Sequence, residues 1–113
     1  MTEENQVLYI IVTENGNIVF EKSFSSLPIT IGRNLDCDVS LPQYKQLSRQ
    51  HVMVAKDGDN FCVVDLKSSN GFKVDGKRQQ RQAFTDLQTI NLGQIDVTIK
   101  AVEDWKNLGA PNN

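Results

Sequence analysis

The sequence predicts an all-β domain, a sandwich of two twisted and mostly antiparallel sheets. Short runs rich in β-branched and aromatic residues recur along the chain, and tight-turn signals such as Asn15-Gly16 and Asp57-Gly58 separate them. No stretch longer than one turn has the 3.6-residue periodicity of an amphipathic helix. At 113 residues, the chain is long enough for one hydrophobic core and too short for two.

The first half of the chain is expected to contribute four strands. Asn15-Gly16 lies between two apolar runs and is a strong signal for a tight hairpin turn. A polar break from Ser23 to Ser26 precedes the third run, which Gly32 closes, and the stretch up to Leu47 is mostly irregular. The strands of this half are expected at 7–12, at 27–31 and at 38–40, with a returning strand that starts at 18–20 and ends before Ser23.

The second half is expected to continue as hairpins. Turns are predicted at 56–60, at Asp75-Gly76 and at Gly93-Gln94, and residues 67–71 form a loop. The polar stretch 77–83 is expected to form short edge strands. The other strands of this half are expected at 51–55, 61–66, 72–74, 89–92 and 95–102. About ten strands follow from the pattern.

The ends of the chain differ from its middle. Residues 1–6 are polar and acidic and are expected to be a disordered leader before a domain at 7–102. Residues 103–108 could form one helical turn, because acidic residues open it and Gly109 ends it. The rest of the segment 103–113 is expected to be a linker tail, so the domain could belong to a longer protein.

The charge of the chain excludes some classes of partner. With 12 Lys and Arg against 14 Asp and Glu, the formal net charge is −2, so nothing points to nucleic acid or an anionic membrane. The distribution is uneven, because five cations lie between Lys67 and Arg81 and only Asp75 opposes them. A basic face and scattered solvated lysines are equally good interpretations of this stretch.

Apolar runs and cysteines indicate an intracellular protein without a metal site. The apolar runs are far shorter than the ~20 residues that span a bilayer, and the polar start is unlike a secretory leader. Cys37 and Cys62 are therefore expected to be free, buried thiols, in the cytoplasm or the nucleus. Two cysteines and one histidine without close spacing do not suit zinc, and no cofactor is expected.

Three short segments share a composition that suits an anion with several oxygens. Arg33 offers a planar fork of N–H donors, Ser48 and Ser69 offer hydroxyls, and Asn70 offers an amide. No carboxylate lies within these segments, and each one adjoins a predicted strand, so their loops could converge at one end of a sandwich. The segments are Gly32-Arg33, Ser48-Arg49-Gln50-His51 and Ser69-Asn70-Gly71.

The same segments, with two others, resemble a known family. The chain is similar to forkhead-associated domains, which are β-sandwiches that bind phosphothreonine, and the resemblance extends from about residue 7 to 102. Single pieces are weak signals, whereas all of them in the same order and spacing are specific. The matching pieces are Gly32-Arg33, Cys37-Asp38-Val39-Ser40-Leu41, Ser48-Arg49-Gln50-His51, Asp65-Leu66-Lys67-Ser68-Ser69-Asn70-Gly71 and Val74-Asp75-Gly76.

The resemblance implies eleven strands and a role for each matching residue. Arg33 and Ser48 are expected to bind the phosphate of a phosphothreonine peptide, with Arg49 as a second cation. Ser69 is expected to contact the phosphothreonine, and Asn70 to hold the peptide backbone. The residues with structural roles in the family are Gly32, His51 and Gly71. The chain departs from the family pattern at Asp75, where Asn is usual, and at Phe72, where Thr is frequent.

Two other classes of function remain open. The same sandwich could act as a scaffolding or dimerisation module that ignores phosphate, although such a module has no need of these donors. His51 with Ser48 and Asp65 could suggest a serine hydrolase, but no nucleophile-elbow motif is present, and no enzymatic activity is expected. His51 is better interpreted as a residue that hydrogen-bonds to loop backbone and braces the Ser48 loop.

Overall fold

The computed structural model describes residues 7–102, which form eleven β-strands in two sheets. The predicted all-β sandwich is confirmed. The expected leader at 1–6 and the expected helical turn and tail at 103–113 lie outside the described residues. The strands are β1 (Leu8–Glu14), β2 (Asn17–Phe24), β3 (Ile29–Gly32), β4 (Val39–Ser40), β5 (Val52–Asp57), β6 (Asn60–Asp65), β7 (Phe72–Val74), β8 (Lys77–Gln79), β9 (Arg81–Phe84), β10 (Leu87–Leu92) and β11 (Ile95–Ala101).

The two sheets contain six and five strands. Their strand orders are β2-β1-β11-β10-β7-β8 and β4-β3-β5-β6-β9. The only parallel pair among the described strands is β3 with β4, where Ile31 lies opposite Val39. β8 and β9 lie at the edges of their sheets, as predicted for the polar stretch 77–83. No helix of the described part is long and apolar enough to cross a membrane.

The core forms because apolar residues alternate with polar ones along the central strands. In β11 the side chains of every second residue from Ile95 to Ala101 are buried, while Asp96 and Lys100 are exposed. Burial of each large aliphatic or aromatic side chain contributes about 1.5–3 kcal/mol. Phe61 stacks on Phe84 with 5.4 Å between the ring centroids, which joins β6 to β9.

The predicted hairpin turns are present with the backbone that their residues favour. Asn15 and Gly16 have φ of 53° and 82°, and Asp75 and Gly76 have φ of 51° and 82°. Positive φ at both central positions is the requirement of a type I′ turn, which Asn-Gly and Asp-Gly both meet. Asp75 therefore makes the turn that the family usually makes with Asn.

Several predicted strand bounds differ from the structure, including the end of β2. β2 continues to Phe24, through the first part of the polar break expected from Ser23 to Ser26. Phe24 lies opposite Leu8 in the β1–β2 register, packs against the core and accepts a hydrogen bond from the Val7 amide. Pairing with the buried strand β1 outweighs the low apolar content of this part of β2.

Candidate functional site

Three loops meet at one end of the sandwich and bring the donor-rich segments together. They are the loops between β3 and β4, between β4 and β5, and between β6 and β7. The Arg33 amide donates to the Ser48 carbonyl at 3.0 Å, and the Asn34 amide donates to the Arg49 carbonyl at 3.1 Å. The Ser69 amide donates to the Ser48 hydroxyl oxygen at 3.0 Å, so all three loops are joined directly.

Gly32 allows the first two loops to approach each other. A Cβ atom at this position would lie 2.2 Å from the main-chain oxygen of Arg49, far inside van der Waals contact. The clash would be with backbone, which cannot move aside as a flexible side chain could. The close approach therefore requires glycine at the end of β3, directly before Arg33.

The guanidinium of Arg33 is oriented by the β4–β5 loop. Its Nε donates to the Leu47 carbonyl at 2.9 Å, and the side chain is half-buried. Within residues 7–102 Arg33 forms no ion pair, so its terminal amino groups are available to a ligand. Of the nearby acids, Asp36 accepts from Asn34 at 3.0 Å, and Asp38 accepts from the amide and hydroxyl of Thr30.

The two acidic residues of this loop have different hydrogen-bond partners. Asp36 bonds within its own loop, whereas Asp38 bonds to strand β3 and so joins β3 to the start of β4. Neither carboxylate is paired with Arg33. The charge of the Arg33 fork is therefore not neutralised by an ion pair among the described residues, which favours an anionic ligand.

Ser48 connects its loop to the β6–β7 loop through its hydroxyl group. The oxygen accepts from the Ser69 amide, which leaves the hydroxyl hydrogen to be donated elsewhere. Ser69 is exposed and Ser48 is half-buried. Arg33 bonds to the Leu47 carbonyl, and Ser48 directly follows Leu47 in the chain. Because Ser69 bonds to Ser48, the Arg33 fork, Ser48 and Ser69 belong to one small surface.

His51 lies beneath this surface and connects two of the loops. It is 1% exposed. The Ser48 amide donates to His51 Nδ1 at 3.1 Å, so Nδ1 is the acceptor and the hydrogen of the neutral ring is on Nε2. Nε2 then donates to the Gly71 carbonyl at 2.8 Å. This geometry includes the backbone contact to the Ser48 loop expected from the sequence.

Asp65 and Ser68 shape the β6–β7 loop. The Asp65 carboxylate accepts hydrogen bonds from both the amide and the hydroxyl of Ser68, and the Ser68 hydroxyl oxygen accepts from the Gly71 amide at 2.8 Å. Lys67 and Gly71 have positive φ of 59° and 70°, so the chain turns twice. These bonds hold Ser69 and Asn70 outward at the tip of the loop.

Asn70 and Arg49 complete the surface. Asn70 is exposed, and its amide donates to the Gln46 carbonyl at 3.3 Å, which fixes the loop tip against the β4–β5 loop. The Arg49 side chain is exposed, while its carbonyl oxygen accepts from the Asn34 amide and from the Cys37 thiol. Burial raises the pKa of Cys37, which makes this thiol a poor nucleophile.

The β4–β5 loop is also braced from the opposite side. Tyr44 is 5% exposed, and its hydroxyl donates to the Glu14 carboxylate at 2.8 Å. Gln94 donates to the other oxygen of the same carboxylate at 2.7 Å. These two hydrogen bonds, from Tyr44 first and Gln94 second, lower the pKa of Glu14 below its ordinary value of 4.5. The loop that carries Ser48 is thus attached to the hairpin turns of β1–β2 and β10–β11.

We expect this brace to make stability depend on pH. A depressed carboxyl pKa contributes stability that is complete above the ordinary value of 4.5 and is lost as the pH falls through the folded value. Glu14→Gln should lower the melting temperature at neutral pH. Below pH 4.5, the melting temperature of the variant should fall less steeply with pH than that of the original protein. Melts of both proteins across this range give the comparison, and parallel curves would contradict the brace.

A basic cavity adjoins the β4–β5 and β6–β7 loops, and three of its residues, Gln46, Lys73 and Arg78, were not among the predicted site residues. It has a volume of about 460 Å³, and Gln46, Asn70, Lys73 and Arg78 are among the residues that line it. The signal in the sequence was the cluster of cations from Lys67 to Arg81. That cluster does not show which of its members share a face, because the pairing of β7 with β8 decides it.

The contacts of His51 and Asp65 do not form a catalytic relay with Ser48. His51 contacts Ser48 through the main-chain amide and not through the hydroxyl, and Asp65 bonds to Ser68 rather than to His51. These contacts differ from the serine–histidine–acid relay of a hydrolase. Within residues 7–102 no group of three His, Cys, Asp or Glu residues is placed to hold a metal ion.

Comparison with known proteins identifies the family. A family model described as FHA domain matches residues 29–93, which include all three loops. The chain belongs to the family of forkhead-associated domains. The joined loops and the donor set described above lie within this match.

One curated relative is similar in sequence to part of the chain. The chain is 31% identical over 70 residues to the FHA domain-containing protein FhaA of Mycobacterium tuberculosis, and the match covers 62% of the chain and 13% of FhaA. The chain thus matches only a small part of this curated relative.

Two solved structures share the fold. EmbR of Mycobacterium tuberculosis, in complex with a low affinity phosphopeptide, is 26% identical, with a TM-score of 0.70 over 84% of this chain and 24% of EmbR. A chain from a structural and functional analysis of phosphothreonine-dependent FHA domain interactions is 23% identical, with a TM-score of 0.70 over 83% of this chain and 95% of that one.

Proposed function

We propose that this domain binds phosphothreonine-containing segments of partner proteins and so recruits them after a Ser/Thr kinase has acted. It is a binding module in this proposal and performs no chemistry. The observation that carries the proposal is the Arg33 fork, which Leu47 orients and no described carboxylate neutralises, beside the Ser48 hydroxyl. Membership of the forkhead-associated family supports it, as does the phosphopeptide bound to the related EmbR.

The electrostatics of the surface suit a phosphorylated side chain. Phosphothreonine carries about −1.5 to −2 charges and three strong acceptor oxygens. Arg33 can donate two hydrogen bonds to these oxygens in a fixed geometry, Ser48 can donate one, and Arg49 adds a second positive charge. Ser69 and Asn70 lie at the tip of the neighbouring loop, where Ser69 can contact the phosphothreonine and Asn70 the peptide backbone. Because kinases that use ATP supply such ligands, the domain acts inside the cell, in the cytoplasm or the nucleus.

A titration with peptides tests the proposal. Random phosphothreonine peptides and their unphosphorylated forms are titrated into the domain by calorimetry. Binding is expected only to the phosphorylated set and is expected to weaken as salt rises, because charge pairs at an exposed site are screened. Equal binding of both sets would instead support the alternative function, a scaffolding or dimerisation module that does not depend on phosphate.

The domain is expected to prefer phosphothreonine to phosphoserine. The two ligands carry the same charge, so Arg33, Ser48 and Arg49 cannot distinguish them. The family implies an apolar niche for the threonine methyl group between the loops of Ser48 and Asn70, and burial of one methyl is worth ~0.8 kcal/mol. The stiffer χ1 of threonine also loses less freedom on binding.

Together these effects should give a preference of about 5–30-fold for matched peptides. The preference should survive added salt, since it is not Coulombic, although both affinities fall. Titrations of the two peptides at several salt concentrations measure it. Equal affinities under all these conditions would show that the domain recognises phosphate without recognising threonine.

A further inference from the structure

An apolar cavity lies at the end of the sandwich opposite the three loops of the candidate site. It has a volume of about 480 Å³. Pro28, which lines it, comes directly before β3, whereas Arg33 comes directly after β3. Strand β3 therefore separates the cavity from the candidate site. Most of the described residues that line the cavity are apolar, namely Val7, Leu27, Pro28, Met53 and Ala55.

Both ends of the described chain meet beside this cavity. Val7 lines it, and the Val102 amide donates to the Val7 carbonyl at 2.9 Å. Residues 1–6 precede Val7 and residues 103–113 follow Val102, so both segments start next to the cavity. An occupant from this chain has to come from one of the two.

Trp105 is the apolar residue best placed to enter the cavity. It lies three positions beyond Val102, so its Cα lies within about 11 Å of that residue even in a fully extended chain. Leu108 follows three positions later, which puts both side chains on one face of the helical turn expected from the sequence. Residues 1–6 are a poorer match, since Met1 is their only apolar residue.

The lining of the cavity suits an indole ring. A tryptophan side chain buries about 150–250 Å² of mostly apolar surface, and its N–H needs a hydrogen-bond acceptor when it is buried. Ser25 and Ser26 line the cavity beside its apolar residues, and their hydroxyl oxygens can accept such a bond. The cavity thus offers both an apolar surface and an acceptor.

The charges near the cavity also match the segment that carries Trp105. Lys56 lines the cavity, and the two acidic residues Glu103 and Asp104 directly precede Trp105. Opposite charges on two surfaces favour their association and fix its register. Location, apolar character and charge therefore all indicate the same occupant.

We propose that residues 103–108 dock on the same chain, with the Trp105 indole in this cavity. The docked segment covers the end of the core at Val7 and Leu27, and it directs the chain after Leu108 away from the phosphopeptide loops. The inference does not depend on the proposed function, because the cavity and the candidate site lie at opposite ends of β3.

Fluorescence tests the inference directly, because Trp105 is the single tryptophan of the chain. The folded full chain should emit at shorter wavelength than N-acetyltryptophanamide, and acrylamide should quench it less, since the cavity removes the indole from water. Unfolding in guanidinium chloride should bring both values to those of the free amide. If the folded protein already equals the free amide in emission and quenching, the proposal is overturned.

A pair of alanine variants assigns the indole to the cavity. Ala55 and Ala83 are paired with Cys62 from its two sides and so share one face of the sheet, but only Ala55 lines the cavity. Ala55→Glu should shift the Trp105 emission to longer wavelength, and Ala83→Glu, the matched control, should not. A folded Ala55→Glu protein with unchanged emission would mean that the indole is buried elsewhere, against the proposal.

Thermal melts give a second test that does not require Ala55→Glu to fold. Trp105→Ala should lower the melting temperature by at least ~4 °C, while Asn112→Ala near the end of the chain should leave it unchanged. Ala55→Glu should lower it much less in the Trp105→Ala protein than in the original one, because residues in contact are coupled. An unchanged melt of Trp105→Ala, or effects that simply add, would contradict the contact.

Dilution shows whether the docking occurs within one chain. The emission should be independent of protein concentration, and the mass in solution by light scattering should be that of a monomer over the same range. A shift towards the emission of the free amide on dilution, together with a larger mass at high concentration, would place the indole in the cavity of a second copy. That result would overturn docking on the same chain.

Discussion

Replacement of Arg33 with alanine is expected to lower the affinity for a phosphothreonine peptide at least ~10-fold and to leave the melting temperature nearly unchanged. Hydrogen bonds to a charged group are worth roughly 1.5–3 kcal/mol, which corresponds to this loss or more. The fold should tolerate the change because the main-chain bond from Arg33 to Ser48 is kept and only the bond to the Leu47 carbonyl is lost. Calorimetry with the peptide and a thermal melt measure the two effects.

Two further variants separate charge from geometry. Arg33→Lys keeps the positive charge but not the planar fork, so it should bind more weakly than the original protein and more tightly than Arg33→Ala. Lys100→Ala removes an exposed cation from β11 and should change neither binding nor stability. Unchanged affinity in Arg33→Ala would refute the site assignment, and a collapsed melt would show that Arg33 is a structural residue.

The fold could be predicted from the sequence because its hairpins are encoded locally. The residues of the β1–β2 and β7–β8 turns, Asn15-Gly16 and Asp75-Gly76, favour the positive φ values that the structure shows. The predicted strand at 72–74 coincides with β7. The end of β2 could not be predicted in the same way, because Phe24 is held in the strand by its pairing with Leu8 across the sheet.

The parts of the site that depend on contacts between distant residues were not visible in the sequence. Ser69 bonds to Ser48 across 21 positions, and Tyr44 bonds to Glu14 across 30. Residue types alone do not specify such pairs. The position of Asn70 at a loop tip followed from the pattern, whereas its bond to the Gln46 carbonyl did not.

The basic cavity also depends on strand pairing that the sequence alone does not reveal. The sequence contains a cluster of cations from Lys67 to Arg81, and it left a basic face and scattered lysines as alternatives. The β7–β8 register puts Lys73 opposite Arg78, while Arg81 on β9 belongs to the other sheet and forms an ion pair with Asp57 at 2.8 Å. Strand pairing therefore divides one run of charges between two sheets, which no local pattern predicts.

Replacement of His51 with alanine is expected to act through stability. The ring is 1% exposed, and both of its nitrogens are bonded, one to the Ser48 amide and the other to the Gly71 carbonyl. Truncation leaves these two backbone groups without partners, at ~1–3 kcal/mol for each that stays buried, and opens a cavity besides. The melting temperature should fall by at least ~5 °C, since 1 kcal/mol shifts it by about 4–8 °C in a domain of this size.

Gln50→Ala provides the matched control, because Gln50 precedes His51 and is exposed, so the melt should hardly move. Peptide binding by His51→Ala, measured well below its melting temperature, should weaken less than in Arg33→Ala, since the ring acts on the loops and not on the ligand. If binding were abolished while the melt stayed in place, His51 would be a direct ligand contact instead. A full melt shift with nearly normal binding would show that the histidine holds the Ser48 and Gly71 loops together without contacting the phosphopeptide.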